Sequence, residues 1–264
     1  MGFLTDTTLC IGCKACEVAC KQWNLLPSDG PREWTGFSYD NTCDLGATTW
    51  RHVAFVERIS ADGQRPSELP VFQSNWLMLS DVCKHCARAG CLQACPTGAI
   101  VRTEFDTVVI QQDICNGCGY CVPACPFGVP DLSPQDHKAH KCTLCYDRLK
   151  DGLEPACAKV CPTDSIQFGP IAALQQRASE RLVDLRQRGR GDAYIYGDRK
   201  VGGTGGIDGL NAFFILTDSP EVYNLPAAPE LPQRKTFPAA LASIGAAVVL
   251  AAAAVLSLRE RATQ

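Results

Sequence analysis

The residues best suited to chemistry in this chain of 264 are its cysteines, because sixteen of the seventeen fall into four closely spaced quartets. The quartets are Cys10, Cys13, Cys16 and Cys20; Cys83, Cys86, Cys91 and Cys95; Cys115, Cys118, Cys121 and Cys125; and Cys142, Cys145, Cys157 and Cys161. The first and third share the spacing C-x2-C-x2-C-x3-C, which is typical of thiolates that bind an iron–sulfur cluster. The pattern therefore predicts one-electron transfer.

Zinc and disulfide bonds are the alternatives for so many thiols. Structural zinc sites usually pair two C-x2-C units across a longer gap, whereas two quartets here hold all four thiols within eleven residues. A disulfide framework favours an even number of cysteines, and neighbouring thiols are poorly placed to cross-link distant segments. We therefore interpret the quartets as ligands of four [4Fe-4S] clusters.

The partners of each thiol follow from the two-cluster ferredoxin pattern, in which the fourth cysteine of each run binds the cluster of the other run. The second and third quartets are contiguous and pair with each other, so the first and fourth must pair across them. The predicted ligands are Cys10, Cys13, Cys16 and Cys161 at site 1; Cys83, Cys86, Cys91 and Cys125 at site 2; Cys115, Cys118, Cys121 and Cys95 at site 3; and Cys142, Cys145, Cys157 and Cys20 at site 4. No motif predicts a catalytic residue.

Other residues in and around the loops have supporting interpretations. Glycines inside the loops are expected to let backbone N–H groups approach the sulfides, at Gly12, Gly117 and Gly119. Lysines beside ligands are candidates to offset the negative charge of the clusters, at Lys14, Lys84 and Lys141. The histidines are interpreted as structural, since the Rieske two-iron spacing is absent, and these are His52, His85, His137 and His140. Cys43 is expected to be a buried thiol.

The elements that position these loops are short. Apolar and β-branched residues predict a hairpin from strands at 99–102 and 107–110, and a further strand at 49–59. Apolar residues recur every three or four positions at 170–188, which predicts an amphipathic helix with its arginines facing solvent. The glycines at 202–206 indicate a flexible turn, and the prolines of 225–238 an extended linker.

The run 237–258 contains 22 residues without a charge, enough to cross a bilayer core of about 30 Å as a helix. We therefore predict a transmembrane helix there. Nine of the 22 residues are alanine, so a buried or terminal soluble helix is the alternative. Two basic residues flank each end, and the charge rule leaves the orientation undecided.

The predicted fold class is α+β, with two interlocked dicluster ferredoxin-like lobes rich in loops, short β-hairpins and short helices, plus the C-terminal transmembrane helix. Residues 1–75 and 135–170 form the first lobe, and residues 76–134 are the inserted second lobe. Residues 171–236 supply the amphipathic helix and linker, 237–258 the transmembrane helix and 259–264 a tail. A net charge of −3 argues against nucleic acid as a partner. No cleavable signal peptide is predicted at residues 1–9.

Five segments resemble the four-cluster iron–sulfur subunit of membrane-bound molybdenum or tungsten formate dehydrogenases, within the electron-transfer subunits of molybdopterin oxidoreductases. The segments are DTTLCIGCKACEVACKQWN, SYDN with TWRHVAF, CKHCARAGCLQACPTGAI, CNGCGYCVPACPFGV and KCTLCYDRLKDGLEPACAKVCPT. The resemblance is strong over residues 1–170 and looser beyond.

This resemblance implies a non-catalytic subunit of an oxidoreductase complex used in anaerobic respiration. It would relay electrons from a molybdopterin-containing catalytic subunit, which oxidises formate, to a membrane cytochrome b that reduces quinone. It also implies a location at the cytoplasmic membrane as a single-pass protein, with the cluster domain on the extracytoplasmic face or, alternatively, the cytoplasmic one. The lobe of sites 1 and 4 would face the catalytic subunit, and the lobe of sites 2 and 3 the cytochrome.

Two other functions fit the same cysteines. The relay could serve a different molybdopterin oxidoreductase, of the polysulfide, sulfoxide or nitrate type, since nothing in this chain contacts the substrate. A stand-alone polyferredoxin that carries electrons by diffusion is the second alternative, and the predicted transmembrane helix argues against it.

Overall fold

The computed structural model describes residues 1–28, 39–57, 76–198 and 207–262. The predicted glycine turn at 202–206 and the last two residues of the strand predicted at 49–59 lie outside the described residues. Strands and helices are numbered below in chain order.

A four-stranded sheet in the order β8-β1-β10-β9 joins both ends of the cysteine-rich region to the segment that follows it. Strand β1 (Gly2–Asp6) pairs antiparallel with β8 (Ile166–Gly169) on one side and parallel with β10 (Ala212–Leu216) on the other. Strand β9 (Tyr194–Tyr196) completes the sheet beside β10. The N-terminal strand is thus interior, and the strands on both of its sides come from residues far along the chain.

Strand β10 is the most deeply buried element, and its sequence AFFIL is apolar throughout. Phe213, Phe214, Ile215 and Leu216 have no exposed surface, and burial of each such side chain is worth about 1.5–3 kcal/mol. A short apolar run of this kind is typical of a strand buried on both faces, but the sequence interpretation did not identify β9 or β10. The segment 171–236 was predicted to be an amphipathic helix and a linker. It also supplies strands β9 and β10, and so contributes to the core.

Helix α5 (Ile171–Gln187) confirms the amphipathic helix predicted at 170–188. Its buried face carries Leu174, Ala178 and Leu185, which pack in the core cluster with β10. The expectation that its arginines all face solvent is wrong for Arg181. The Nε of Arg181 lies 2.8 Å from a carboxylate oxygen of buried Asp6, so this arginine ties α5 to the end of β1.

The loops of the cysteine-rich region are joined by short elements. These are α1 (Ala15–Trp23), β2 (Arg51–Glu57), β3 (Trp76–Val82), α2 (Gly90–Ala94), β4 (Ile100–Arg102), β5 (Val108–Ile110), β6 (Asp131–Leu132), β7 (Ala139–His140), α3 (Tyr146–Lys150) and α4 (Ala156–Lys159). The antiparallel pairing of β4 with β5 confirms the predicted hairpin. Strand β2 confirms the described part of the strand predicted at 49–59, and it pairs antiparallel with β3, which connects the two predicted lobes.

The C-terminal helix α6 (Gln233–Ala262) includes the predicted span 237–258 and begins four residues before it. Among the residues that the structure describes, no helix has both the length and the apolar character needed to cross a bilayer. The structure therefore does not support the transmembrane helix predicted at 237–258. The helix itself forms across the predicted span.

Candidate iron–sulfur sites

Three cavities are each lined by four cysteines. One is lined by the thiols predicted for site 1, another by those predicted for site 3, and the third by those predicted for site 4. Their volumes, counted with the space open to solvent, are about 300, 290 and 240 Å³. The similar volumes and identical donor sets fit one kind of group at all three places.

The four thiols predicted for site 2 are also neighbours. Burial raises the pKa of Cys86 well above its usual value, and the nearby Cys83, Cys125 and Cys91 raise it further. Three of these cysteines belong to the second quartet and Cys125 to the third, as the interlocked pattern requires. A thiol with such a high pKa stays protonated until a metal displaces its proton, so binding of iron here releases protons.

Thiols of different sites are close enough to affect one another's pKa. These effects give the order in which the sites lie next to one another. Burial raises the pKa of Cys16 in site 1 to about 11 against the effects of Arg51 and Ser80, and Cys157 of site 4 adds to the rise. Burial likewise raises the pKa of Cys142 in site 4, and Cys83 of site 2 is the first thiol that adds to it. The pKa of Cys91 in site 2 rises to about 12 through burial, with a contribution from Cys121 of site 3. The sites therefore follow one another in the order 1, 4, 2, 3.

Exposure separates the sites at the ends of this order from those in the middle. Sites 1 and 3, called the end sites below, each have one cysteine exposed to solvent, Cys13 and Cys118 respectively. Sites 4 and 2, called the inner sites, have no exposed cysteine, and the four thiols of site 4 are all buried. The ends of the order thus hold the most exposed ligands, while site 4 is buried and site 2 has two partly exposed thiols, Cys86 and Cys125.

Two loop glycines show why the chain uses this residue between ligands. Gly12 has φ +66°, and a Cβ there would lie 2.6 Å from the sulfur of Met78. Its backbone N–H also donates a hydrogen bond to the thiol of Cys10, in agreement with the predicted role of these glycines. Gly117 has φ +73°, and its Cβ would lie 2.1 Å from the carbonyl oxygen of His137. Both loops therefore need glycine for backbone conformation and for close packing.

The repeated Cys-Pro-Thr sequence has a structural counterpart at the end sites. The hydroxyl of Thr97 lies 3.6 Å from the sulfur of Cys95, and that of Thr163 lies 3.8 Å from the sulfur of Cys161. Burial opposes ionisation of Cys95, but the Thr97 hydroxyl and nearby backbone N–H groups lower its pKa overall. Each end site thus has a hydroxyl beside its fourth thiol, and each inner site has another residue at the matching position, Phe127 or Gln22.

Buried cations lie among the inner thiols. Lys141 is buried and donates hydrogen bonds to the backbone carbonyls of Val108 and Cys142, while Lys84 is buried and forms an ion pair with Asp81. Arg51, at the start of β2, lines the cavity of site 4. Lys14, in contrast, is partly exposed beside site 1, where it donates to the side chain of Asn41. The sequence interpretation named the three lysines but missed Arg51, whose only signal was a charge at the start of the strand Arg51–Glu57.

The histidines interpreted as structural have contacts that suit that role. The ring of His52 lies 2.8 Å from a carboxylate oxygen of Asp40, and that of His140 lies 2.9 Å from Asp136. Nδ1 of buried His85 accepts a hydrogen bond from the backbone N–H of Val108. His137 has φ +58°. Cys43, expected to be buried, is only partly buried and has φ +64°.

The donor set fits a cluster better than a single ion. Within the described ranges, no three or more His, Cys, Asp or Glu side chains converge tightly enough to hold one metal ion. The four thiols surround a cavity instead, as a cubane requires, because its iron atoms keep the thiolates apart. Arg51 supplies a positive charge at the wall of one such cavity, which suits a negatively charged group.

Comparison with known proteins agrees with this geometry. Residues 9–100 and residues 74–171 each match a family described as a 4Fe-4S dicluster domain. Two dicluster domains imply four [4Fe-4S] clusters and a role in electron transfer.

The full-length relatives give the family. The chain is 41% identical over 232 residues to the formate dehydrogenase iron–sulfur subunit of Haemophilus influenzae, covering 86% of this chain and 69% of that protein. It is 41% identical over 241 residues to the formate dehydrogenase-O iron–sulfur subunit of Escherichia coli, covering 89% and 73%. The thiosulfate reductase electron transfer subunit PhsB of Salmonella typhi is 36% identical over 200 residues, covering 75% of this chain and 91% of that protein. Together with the cysteine-lined cavities, these matches show that the chain belongs to the family of iron–sulfur electron-transfer subunits found in formate dehydrogenases.

Proposed function

We propose that this chain relays electrons from a molybdopterin-containing formate dehydrogenase subunit to a membrane cytochrome b that reduces quinone. Its sixteen quartet cysteines hold four [4Fe-4S] clusters in the predicted sets of sites 1 to 4. Each bound cluster accepts and releases one electron at a time. The protein supplies the thiolate ligands, keeps water away from the inner sites, and holds the four sites in a fixed order.

The observation that carries this proposal is the order 1, 4, 2, 3, in which thiols of neighbouring sites influence one another's pKa. A row of sites whose most exposed ligands lie at its two ends suits a relay between two partners. A single site, or a ring of equally exposed sites, would suit a carrier that receives and releases electrons at the same place. The geometry therefore favours the relay over a stand-alone polyferredoxin.

Each end of the row has an exposed apolar side chain among its ligands. Ile11, between Cys10 and Cys13, is 59% exposed, and Tyr120, between Cys118 and Cys121, is 62% exposed. Large exposed apolar residues at such positions are suited to a protein interface. We assign the site 1 end to the molybdopterin subunit and the site 3 end to the cytochrome, in keeping with the family of the relatives.

The complex is proposed to lie at the cytoplasmic membrane, held there by the cytochrome, with the cluster region on the extracytoplasmic face. Protease treatment of intact spheroplasts distinguishes the two faces. Digestion of this chain in intact spheroplasts supports the extracytoplasmic location, and digestion only after lysis contradicts it.

Purification of the native complex from membranes tests the function directly. We expect a pterin-containing chain and a cytochrome b to co-purify, formate to reduce quinone, and iron analysis to give about four iron atoms per site. Recovery of the chain without a pterin-containing partner would contradict the proposed role. Iron well below this ratio would contradict the cluster assignment.

A second candidate keeps the relay and changes the catalytic partner. The relative from Salmonella typhi is a thiosulfate reductase subunit, and the match spans 91% of its length. Thiosulfate reduction by the purified complex, in the absence of formate oxidation, would favour this candidate.

A further inference from the structure

Arg51 is a fully charged side chain in the interior of the protein. Only 1% of its surface is exposed, and its guanidinium lies 4.8 Å from the centre of the Phe3 ring. Among the residues that the structure describes, no carboxylate forms an ion pair with Arg51. Arginine cannot lose its proton in a protein, and a buried charge without a counter-charge is strongly destabilising. Its counter-charge must therefore come from something near it that is not a carboxylate.

The contacts of Arg51 point to two of the cluster sites. Its Nη1 donates to the hydroxyl of Ser80 at 3.0 Å and to the Ser80 carbonyl at 3.3 Å. The same hydroxyl lies 3.2 Å from the sulfur of Cys16 in site 1 and can donate to it once that thiol is a thiolate. Arg51 thus reaches site 1 through one intervening side chain.

Arg51 is also part of the wall of site 4. Arg51 lines that cavity together with Cys20, Cys142, Cys145 and Cys157. Its Nε and Nη2 are buried, and no hydrogen-bond acceptor lies within reach of either in the described part of the chain. Unsatisfied buried donors on an arginine at the wall of a thiol-lined cavity are suited to acceptor atoms inside it, such as the sulfur atoms of a bound cluster.

We propose that Arg51 is a positioning residue whose positive charge is shared by the groups bound at sites 1 and 4, and that it raises both reduction potentials together. This inference rests on the proposed function, because it requires clusters at both sites. When one electron passes from site 1 to site 4, the first site is oxidised and the second is reduced. A charge placed between them favours both reduced states, so it holds the electron in this part of the relay without opposing its passage.

Lys84 shows why this role falls to Arg51. It is also buried and contacts an aromatic ring, that of Phe127, but Asp81 already provides its counter-charge. Lys141 has no carboxylate in ion-pair contact among the described residues, yet its ammonium group donates to two backbone carbonyls. Of these three buried cations, only Arg51 has nitrogen atoms, Nε and Nη2, that are buried without any hydrogen-bond partner among the described residues.

Potentiometric titration of the complete chain, followed by electron paramagnetic resonance, tests the inference. In Arg51→Met, we expect the reduction equilibrium of two of the four clusters to fall about tenfold, which corresponds to about 59 mV for one electron. The other two clusters should change less than twofold. Unchanged potentials in all four, or an equal shift in all four, would overturn the inference.

Two further variants identify the sites and separate charge from folding. Lys141→Met should shift the clusters of sites 2 and 4, so that one cluster responds to both substitutions, and a pair wholly different from that of Arg51→Met would contradict the assignment. Arg51→Lys keeps the charge and should retain iron and potentials within about threefold of the wild type. If Arg51→Met loses iron and Arg51→Lys does not, the charge is required, and equal loss in both overturns the proposal.

Wild-type protein separates this inference from the function on which it rests. If the wild-type chain holds fewer than four clusters, the proposed function itself fails. If it holds four and the potentials do not respond to Arg51, only the present inference fails.

Discussion

The end sites and the inner sites offer the same set of four thiols to a cluster, but they differ in their surroundings. Sites 1 and 3 each expose one cysteine and have a threonine hydroxyl beside the fourth thiol. The cysteines of sites 2 and 4 are buried or only partly exposed, and they lie among the buried cations Arg51, Lys84 and Lys141. Under the proposed function, the thiol spacing determines what can bind, and the surroundings determine whether a site exchanges electrons with a partner or passes them on internally.

The largest difference between an inner site and an end site should follow from removal of a single ligand thiol. Cys142→Ser removes a buried thiolate from an inner site and from the core cluster around Leu144, so folding around site 4 should fail. We expect loss of iron from site 4 and a fall in Tm of about 10 °C or more, since each kcal/mol is worth about 2–4 °C in a chain of this size. Iron analysis and thermal unfolding measure this.

The matched change at an end site is Cys118→Ser, whose thiol is exposed to solvent. Water or the serine oxygen can reach this position, so we expect the Tm to fall by less than half as much. Equal effects of the two substitutions would remove the distinction between end and inner sites.

The lysines beside the ligands should show the next largest difference. Lys141→Met leaves two buried carbonyls without a donor and removes a cation from among the inner thiolates, which should cost about 2–4 kcal/mol. Lys14→Met removes a partly exposed lysine near site 1 and should cost less than about 1 kcal/mol. Urea unfolding of both holoproteins measures the costs, and a larger cost for Lys14→Met contradicts this ranking.

The exposed apolar residues allow the two ends to be distinguished from each other. Ile11→Glu should slow reduction by the catalytic partner about tenfold, and Tyr120→Glu should slow transfer to the cytochrome by a similar factor, because each places a charge in an apolar contact. Stopped-flow measurement of each half-reaction separates the two steps. Iron content should be unchanged in both variants, and slowing of the same step by both would contradict the assignment of the ends.

The smallest effect should be a dependence on pH near site 1. Burial opposes protonation of His52, but its hydrogen bond with Asp40 raises the pKa of His52 above 6.5 overall, and the same contact lowers the pKa of Asp40 to about 2. The stability that His52 contributes is complete below pH 6.5 and is lost as the pH rises through its raised pKa. The stability from Asp40 is lost only in acid, as the pH falls towards 2.

His52→Gln should therefore reduce the fall in Tm on the alkaline side of pH 6.5. His140→Gln is the matched control, because His140 pairs with Asp136 at the surface and should contribute little. Unfolding curves over about pH 5–9 test this, and an equal response of the two variants would contradict it.

The cysteine loops were predictable from sequence because three of the four thiols of each site come from one quartet, whose close spacing is visible in the sequence. The hairpin of β4 and β5 and helix α5 were predictable for a similar reason, since each is stabilised by contacts local in sequence. Strand β10 was not, because its partner β1 lies about two hundred residues earlier in the chain. Neither was the role of Arg51, since a charge in a strand looks solvent-exposed until its neighbours in space are known.

The linker prediction at 225–238 missed part of the core. Leu225 and Leu231 are buried against the main core, which the many prolines of that segment do not reveal.

The position of β1 between β8 and β10 also restricts when the protein can be completed during synthesis. Gly2–Asp6 is the first strand made, but it cannot occupy its place until residues 166–169 and 212–216 have left the ribosome. The segment that holds sites 2 and 3, residues 83–125, is finished long before then. All eight thiols of sites 2 and 3 therefore leave the ribosome before either partner strand of β1, although the backbone of Lys84, Ala87 and Arg88 completes its hydrogen bonds only with residues 207–212.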